Sequence, residues 1–180
     1  MTSTQKRLAV LNVAGGIAVL GSYGAGFALY PDDVGGLWGG VPEQWRGLYT
    51  TAMFPAALGY FPMTYFLLFR ADLGQKIFGG VSAGACVTLL YAVALSLAAA
   101  WMPLTLEFLT GAGASLWPAI HLALLFTGIA SLGLVGCVIV LRPAEGGGTA
   151  WALALVGSLF FTFQTGVLDA LVWPALFPHP

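Results

Sequence analysis

Asp169 is the only carboxylate inside an otherwise uncharged apolar run from 151 to 173. An ionisable group inside such a run is costly and is a functional-site candidate by default. On a helix, Thr162, Thr165, Asp169 and Trp173 follow 3-4-4 spacing and share one face, with Gln164 on an adjacent flank. His121 is the only histidine in an apolar run and, four residues after Trp117, points the same way as that ring. Glu107 is the third group with proton chemistry near the same end. If Glu107, His121 and Asp169 met, they would suit acid-base work on a lipid or isoprenoid. No positioned nucleophile accompanies them, and no catalytic residue is assigned. No GxSxG, HExxH, Walker or GxGxxG context is present, since Gly146-Gly147-Gly148 follows an apolar run and not a strand. Cys86 and Cys137 lack CxxC or Cys/His spacing and read as small packing residues, so no metal site is expected.

Composition dictates what positions these groups. Of 180 residues, 59% are hydrophobic and 7% charged, against a usual charged share of about 25%. Too few residues remain to cover a water-facing surface, so lipid must solvate most of the chain. Six Lys and Arg against seven Asp and Glu give a net charge of -1 and no basic patch for nucleic acid. Uncharged apolar runs at 8–30, 47–69, 77–101, 117–141 and 151–173 are each close to the ~20 residues a membrane helix needs. The fold expected is therefore an all-α, single-domain bundle of five transmembrane helices. Turn chemistry separates the runs at Pro31-Asp32-Asp33, Arg70-Ala71-Asp72-Leu73-Gly74, Gly111-Ala112-Gly113 and Arg142-Pro143-Ala144-Glu145-Gly146-Gly147-Gly148.

Positive charge sorts cleanly with the amino terminus inside. Lys6, Arg7, Arg70, Lys76 and Arg142 then lie inside and Arg46 outside, which leaves the carboxyl terminus outside. The membrane expected is a bacterial cytoplasmic (inner) one. In the first run Ala14, Ala18, Ser22 and Gly26 recur every four residues and predict a smooth packing face. Pro55 and Pro62 predict bends in the second helix that leave room for a pocket. The connection from Pro31 to Arg46, with Trp38, Trp45, Asp32, Asp33 and Glu43, has the length and composition of a functional loop. His121 as a haem ligand would need a partner such as His179 in the terminal Pro178-His179-Pro180.

The order of residues in three helices resembles the translocator protein family (TspO, or peripheral benzodiazepine receptor proteins). The second helix opens with Pro42, Trp45, Leu48-Tyr49 and Met53. The third carries Leu90-Tyr91, Leu95, Leu97, Trp101, Pro103 and Leu104, and the fifth carries Leu168-Asp169 and Trp173. The chain departs from that pattern at Ala98 and Asp169, where the family shows Asn, and in lacking a Lys-Pro loop. The resemblance implies an intramembrane pocket closed by the first loop that binds porphyrins or sterol-like molecules, with Trp45, Tyr49, Trp101 and Asp169 around it.

Together these readings predict a membrane protein that binds a large apolar or amphipathic molecule near its outer face. Asp169 or His121 would hydrogen-bond the ligand's polar end while Trp45, Tyr49, Trp101 and Trp117 stack on its body, with Gln164 also counted among the binding residues. Porphyrin or haem is expected as a ligand and no cofactor as a requirement. The partners expected are the bilayer, the apolar ligand, and either a second copy or other membrane proteins. Two alternatives stay open: a structural subunit or assembly factor that docks through glycine-rich faces, and a lipid- or isoprenoid-modifying enzyme.

Overall fold

Backbone N–H and C=O groups have no water to bond in hydrocarbon, so apolar segments of this length satisfy themselves as helices. The computed structural model describes residues 1–111, 114–141, 143 and 147–178. It contains five helices long and apolar enough to cross a membrane: α1 (Ser3–Leu29), α2 (Glu43–Phe69), α3 (Ala83–Leu109), α4 (Trp117–Val140) and α5 (Gly148–Leu176). Short 3-10 turns at Val34–Trp38 and Ala114–Leu116 precede α2 and α4. The turns expected around Ala112-Gly113 and residues 144–146, the inward charge of Arg142, and the tail histidine His179 lie outside the described residues.

Three helix boundaries show local chemistry. Thr2 caps α1: its Oγ1 accepts from the Gln5 N–H at 3.2 Å while Gln5 Oε1 accepts from the Thr2 N–H at 2.7 Å. The same Gln5 donates Nε2–H to the Leu68 carbonyl at 2.7 Å, tying the start of α1 to the end of α2. The third helix starts later than hydropathy alone predicts. Strands β1 (Lys76–Ile77) and β2 (Val81–Ser82) pair antiparallel around Phe78, Gly79 and Gly80, which all have positive φ. Two glycines that accept this conformation make a tight turn where an apolar run was expected to continue as helix. At its other end α3 runs on through Pro103 to Leu109.

Around the bundle, α3 packs between α1 and α4, and α5 packs between α4 and α2, while α1 and α2 share a thinner contact. Successive helices are antiparallel, so both ends of the bundle are defined: an amino end carrying the first residue and a carboxyl end carrying Phe177. Glycines set the closest crossings. A Cβ on Gly157 would lie 2.3 Å from the Gly59 carbonyl oxygen, and one on Gly128 would lie 2.9 Å from the Gly166 Cα. Such backbone approach is how helices gain packing when lipid already solvates their side chains.

The packing face of α1 differs from the one expected. Gly15 fits against Leu95 and Gly26 against Met102 and Leu106. Ala14 and Ala18 are exposed. The sequence stripe of small residues therefore belongs half to α3 and half to the surroundings, because the bulky side chains of α3 choose glycine over alanine as their sockets.

Two buried clusters fill the bundle. Leu8, Met63, Phe66, Tyr91, Leu134 and Val138 centre the one in the amino half. Val41, Tyr49, Ile120, Leu168, Trp173 and Phe177 centre the one at the carboxyl end. In the amino half Tyr60 O–H bonds Asn12 Oδ1, and the Thr64 and Tyr91 hydroxyls lie 2.8 Å apart, so the polar groups there are paired.

Candidate functional site in the carboxyl half

From Phe163 to Val172, α5 is wound as a π-helix between α-helical turns. A wider turn stacks residues five apart, and stretches of this kind mark functional sites more often than ordinary helix does. Here the widening brings Gln164 and Asp169 together: Gln164 Nε2 donates to Asp169 Oδ1 at 2.8 Å. The stripe expected from α-helical spacing is thereby split. Thr165 turns to α4, where its hydroxyl donates to Ser131 Oγ at 2.8 Å and lies 2.9 Å from the Phe161 carbonyl oxygen. Gln164, drawn as a flank, becomes the partner of Asp169.

Three further helices supply the surroundings of Asp169. Tyr23 of α1 and Tyr49 of α2 both lie within electrostatic reach of its carboxylate. The Tyr23 ring meets the Trp101 ring of α3 edge-on at 6.3 Å, and Trp101 meets Trp173 edge-on at 5.8 Å. Tyr49 is 3% exposed and donates its O–H to the Leu168 carbonyl at 3.1 Å, fixing α2 to the π-helical segment. Tyr23 escaped sequence reading; its only signal there is a phenol in the middle of an apolar run.

Hydrogen bonding in this half is incomplete at specific atoms. The buried hydroxyls of Thr105, Thr127, Ser131 and Ser158 each donate to a carbonyl one turn back in their own helix. Gln164 Oε1, Trp101 Nε1 and Thr162 Oγ1 are buried and have no partner among the described residues. An acceptor thus stands unused on the side chain that bonds Asp169, and a donor on Trp101, whose ring packs on Tyr23 and Trp173. Each such group costs about 1–3 kcal/mol when left unsatisfied.

The carboxyl end above this site is closed by the chain's own aromatics. The Phe177 ring centroid lies 4.8 Å from that of Trp117 and 4.7 Å from that of Trp173, and Phe108 packs on both Trp117 and Phe177. Trp173 Nε1 donates to the Leu37 carbonyl at 2.8 Å, which pins the first loop onto the end of α5. Gly40 is pressed against that end so closely that a Cβ would fall 1.7 Å from the Leu176 carbonyl oxygen. Arg46 closes the loop from the other side, with Nε donating to the Val41 carbonyl at 3.3 Å and its guanidinium 5.6 Å from the Trp38 ring.

No family model, curated protein or solved structure matches the chain.

Geometry alone therefore sorts the expected site residues. Tyr49, Trp101, Gln164 and Asp169 converge. Trp117 packs in the aromatic closure, against Phe108, Trp173 and Phe177. His121 stacks edge-on to Trp117 at 5.8 Å, as its spacing predicts, yet its side chain is exposed on the outer face of α4. Trp45 is 49% exposed on α2 and lies outside the buried aromatic cluster. Glu107 is exposed and accepts from the Tyr30 O–H at 3.2 Å; its carboxylate holds that phenol above the usual tyrosine range. Glu107, His121 and Asp169 do not assemble, and no group of three His, Cys, Asp or Glu that could hold a metal occurs among the described residues. Two open clefts of the bundle, of about 310 and 500 Å³, lie at its amino end and include none of the expected site residues.

Proposed function

We propose that the chain binds a large amphipathic small molecule, porphyrin- or sterol-like, inside the membrane at the site around Asp169. The observation that carries this reading is two buried polar atoms without a partner among the described residues, Trp101 N–H and Gln164 Oε1, the latter on the side chain that bonds Asp169. A ligand with both a donor and an acceptor at its polar end, such as a hydroxyl or a pyrrole with a carboxylic acid, would satisfy them. Tyr23, Trp101 and Trp173 offer ring faces and edges to its apolar body. The docked first loop and the Trp117–Trp173–Phe177 closure shield the site from water, which strengthens each polar contact made there. Tyr49 and Trp101 are among the residues that carry the resemblance to the translocator family, from which Asp169 departs, and they support the ligand class.

The test is tryptophan quenching in reconstituted protein, with a porphyrin and separately with a sterol. Saturable quenching is expected in wild type, and Asp169→Ala should weaken it about tenfold, the equivalent of one charge-assisted hydrogen bond. Unsaturable partitioning in both proteins, or unchanged affinity in the variant, would refute the assignment.

A second reading, a subunit that docks on other membrane proteins or on its own copy, is favoured by one observation. Ala14, Ala18, Gly21, Ala25 and Ala28 form an exposed small-residue stripe on α1. A fixed set of partners in mild detergent would support it, and a clean monomer would count against it.

A further inference from the structure

The amino end of the bundle is built to a different plan. Among the described residues its charges are Lys6, Arg7, Arg70 and Lys76 against Asp72, whose Oδ1 already accepts from the Gly74 N–H at 2.9 Å. Between the first turns of α1 and α3 a cleft of about 500 Å³ opens. Thr4, Arg7 and Ser82, at the first turns of the two helices, line it. Thr4 and Arg7 are three residues apart and so share one side of α1. Gly84 seats the Thr4 methyl so closely that a Cβ would fall 2.6 Å from it, fixing the opening between the two helices. The rest of the lining is apolar apart from Thr88, whose hydroxyl is spent on the Gly84 carbonyl at 2.6 Å: Ala85, Leu89 and Ala92 follow i, i+4, i+7 spacing down the flank of α3, and Leu89 is 64% exposed. The Arg7 guanidinium makes no hydrogen bond or ion pair with any described residue.

A cation and hydroxyls at the membrane surface above an apolar groove match one chemistry, a phosphate ester joined to a hydrocarbon chain. We propose that this cleft is a seat for an anionic phospholipid, with Arg7 on the phosphate and one acyl chain along Ala85, Leu89 and Ala92. Net negative charge on the lipid is required, because a zwitterionic headgroup already offsets its own phosphate. A free phosphate would leave the apolar wall unused. The site is separate from the one around Asp169 and stands or falls independently of it.

The experiment is reconstitution into phosphatidylcholine bilayers with and without phosphatidylglycerol, followed by native mass spectrometry of the lipid retained on the released protein. Wild type should keep phosphatidylglycerol in preference to phosphatidylcholine. Arg7→Gln should retain about tenfold less, the loss of one charge-assisted hydrogen bond to the phosphate, while Arg7→Lys keeps most of it. Lys6→Gln, a neighbouring charge that does not line the cleft, should leave retention unchanged, and excess inorganic phosphate should not displace the lipid. Equal loss in Lys6→Gln and Arg7→Gln would mean diffuse surface attraction and overturn the site. Unchanged retention in Arg7→Gln, equal retention of phosphatidylcholine, or displacement by inorganic phosphate would overturn it as well.

Discussion

Trp101 Nε1 and Gln164 Oε1 are buried with no partner among the described residues, in a half of the bundle where the Thr105, Thr127 and Ser131 hydroxyls each find a carbonyl one turn away. A group kept at such a cost without a ligand should be removable without loss of stability. Trp101→Phe keeps the ring contacts with Tyr23 and Trp173 and deletes the unpaired N–H. The ligand-free variant is therefore expected to melt no lower than wild type in detergent, while its affinity for the porphyrin falls about tenfold. A lower melting temperature would mean that the packing lost with the larger ring outweighs the relief of an unpaired donor. At this scale the sequence was informative where polarity stood out against an apolar run: Asp169 and Gln164 could be singled out on that ground. It was not informative about direction. Trp117 and His121 do share a face, but which face meets the bundle depends on how α3 and α5 pack against α4, and that leaves the imidazole outside. Trp45, likewise, is left half exposed on α2.

Hydropathy located all five helices, because length and the absence of charge are one-dimensional properties. It could not show the π-helical stretch of α5, which is a pattern of backbone hydrogen bonds without a side-chain period of its own. Nor did it place the hairpin before α3, where two glycines with positive φ override the apolar run. Helix crossings were legible as an abundance of glycine but not as particular pairs. The pairs make a sharp contrast testable. A methyl on Gly157 would meet the Gly59 carbonyl oxygen at 2.3 Å, whereas one on Gly166 finds its nearest atom at 3.5 Å. Gly157→Ala is expected to destabilise the protein by about 1–3 kcal/mol and Gly166→Ala to change little, read as melting temperatures in one detergent. Reversal of that order would mean that α2 and α5 cross elsewhere. The loop closure gives a further prediction. Trp173→Phe removes the 2.8 Å bond to the Leu37 carbonyl, worth about 1 kcal/mol. Protease cleavage in the loop at 31–42 should then quicken, and an unchanged rate would argue that the loop is held by its other contacts.

Over the whole molecule, charge divides between the two ends. Basic residues prevail at the amino end, and Asp32, Asp33, Glu43 and Glu107 outnumber Arg46 at the other. By the positive-inside rule this should set the amino terminus in the cytoplasm and the aromatic closure on the opposite side. Reporter fusions to the two termini should show the first inside and the last outside; the inverse would place the docked loop in the cytoplasm. The interior site and the surface cleft then belong to opposite halves of the bilayer, one shielded by aromatics, the other open to lipid. That separation makes the central claim directly measurable with a photoreactive sterol crosslinked in the bilayer and mapped by peptide mass spectrometry. Adducts are expected on Tyr23, Trp101 and the segment from Gln164 to Trp173, and unlabelled sterol should compete them away. Adducts spread over exposed positions such as Leu20, Phe54 and Leu159, and indifferent to competitor, would contradict an interior binding site.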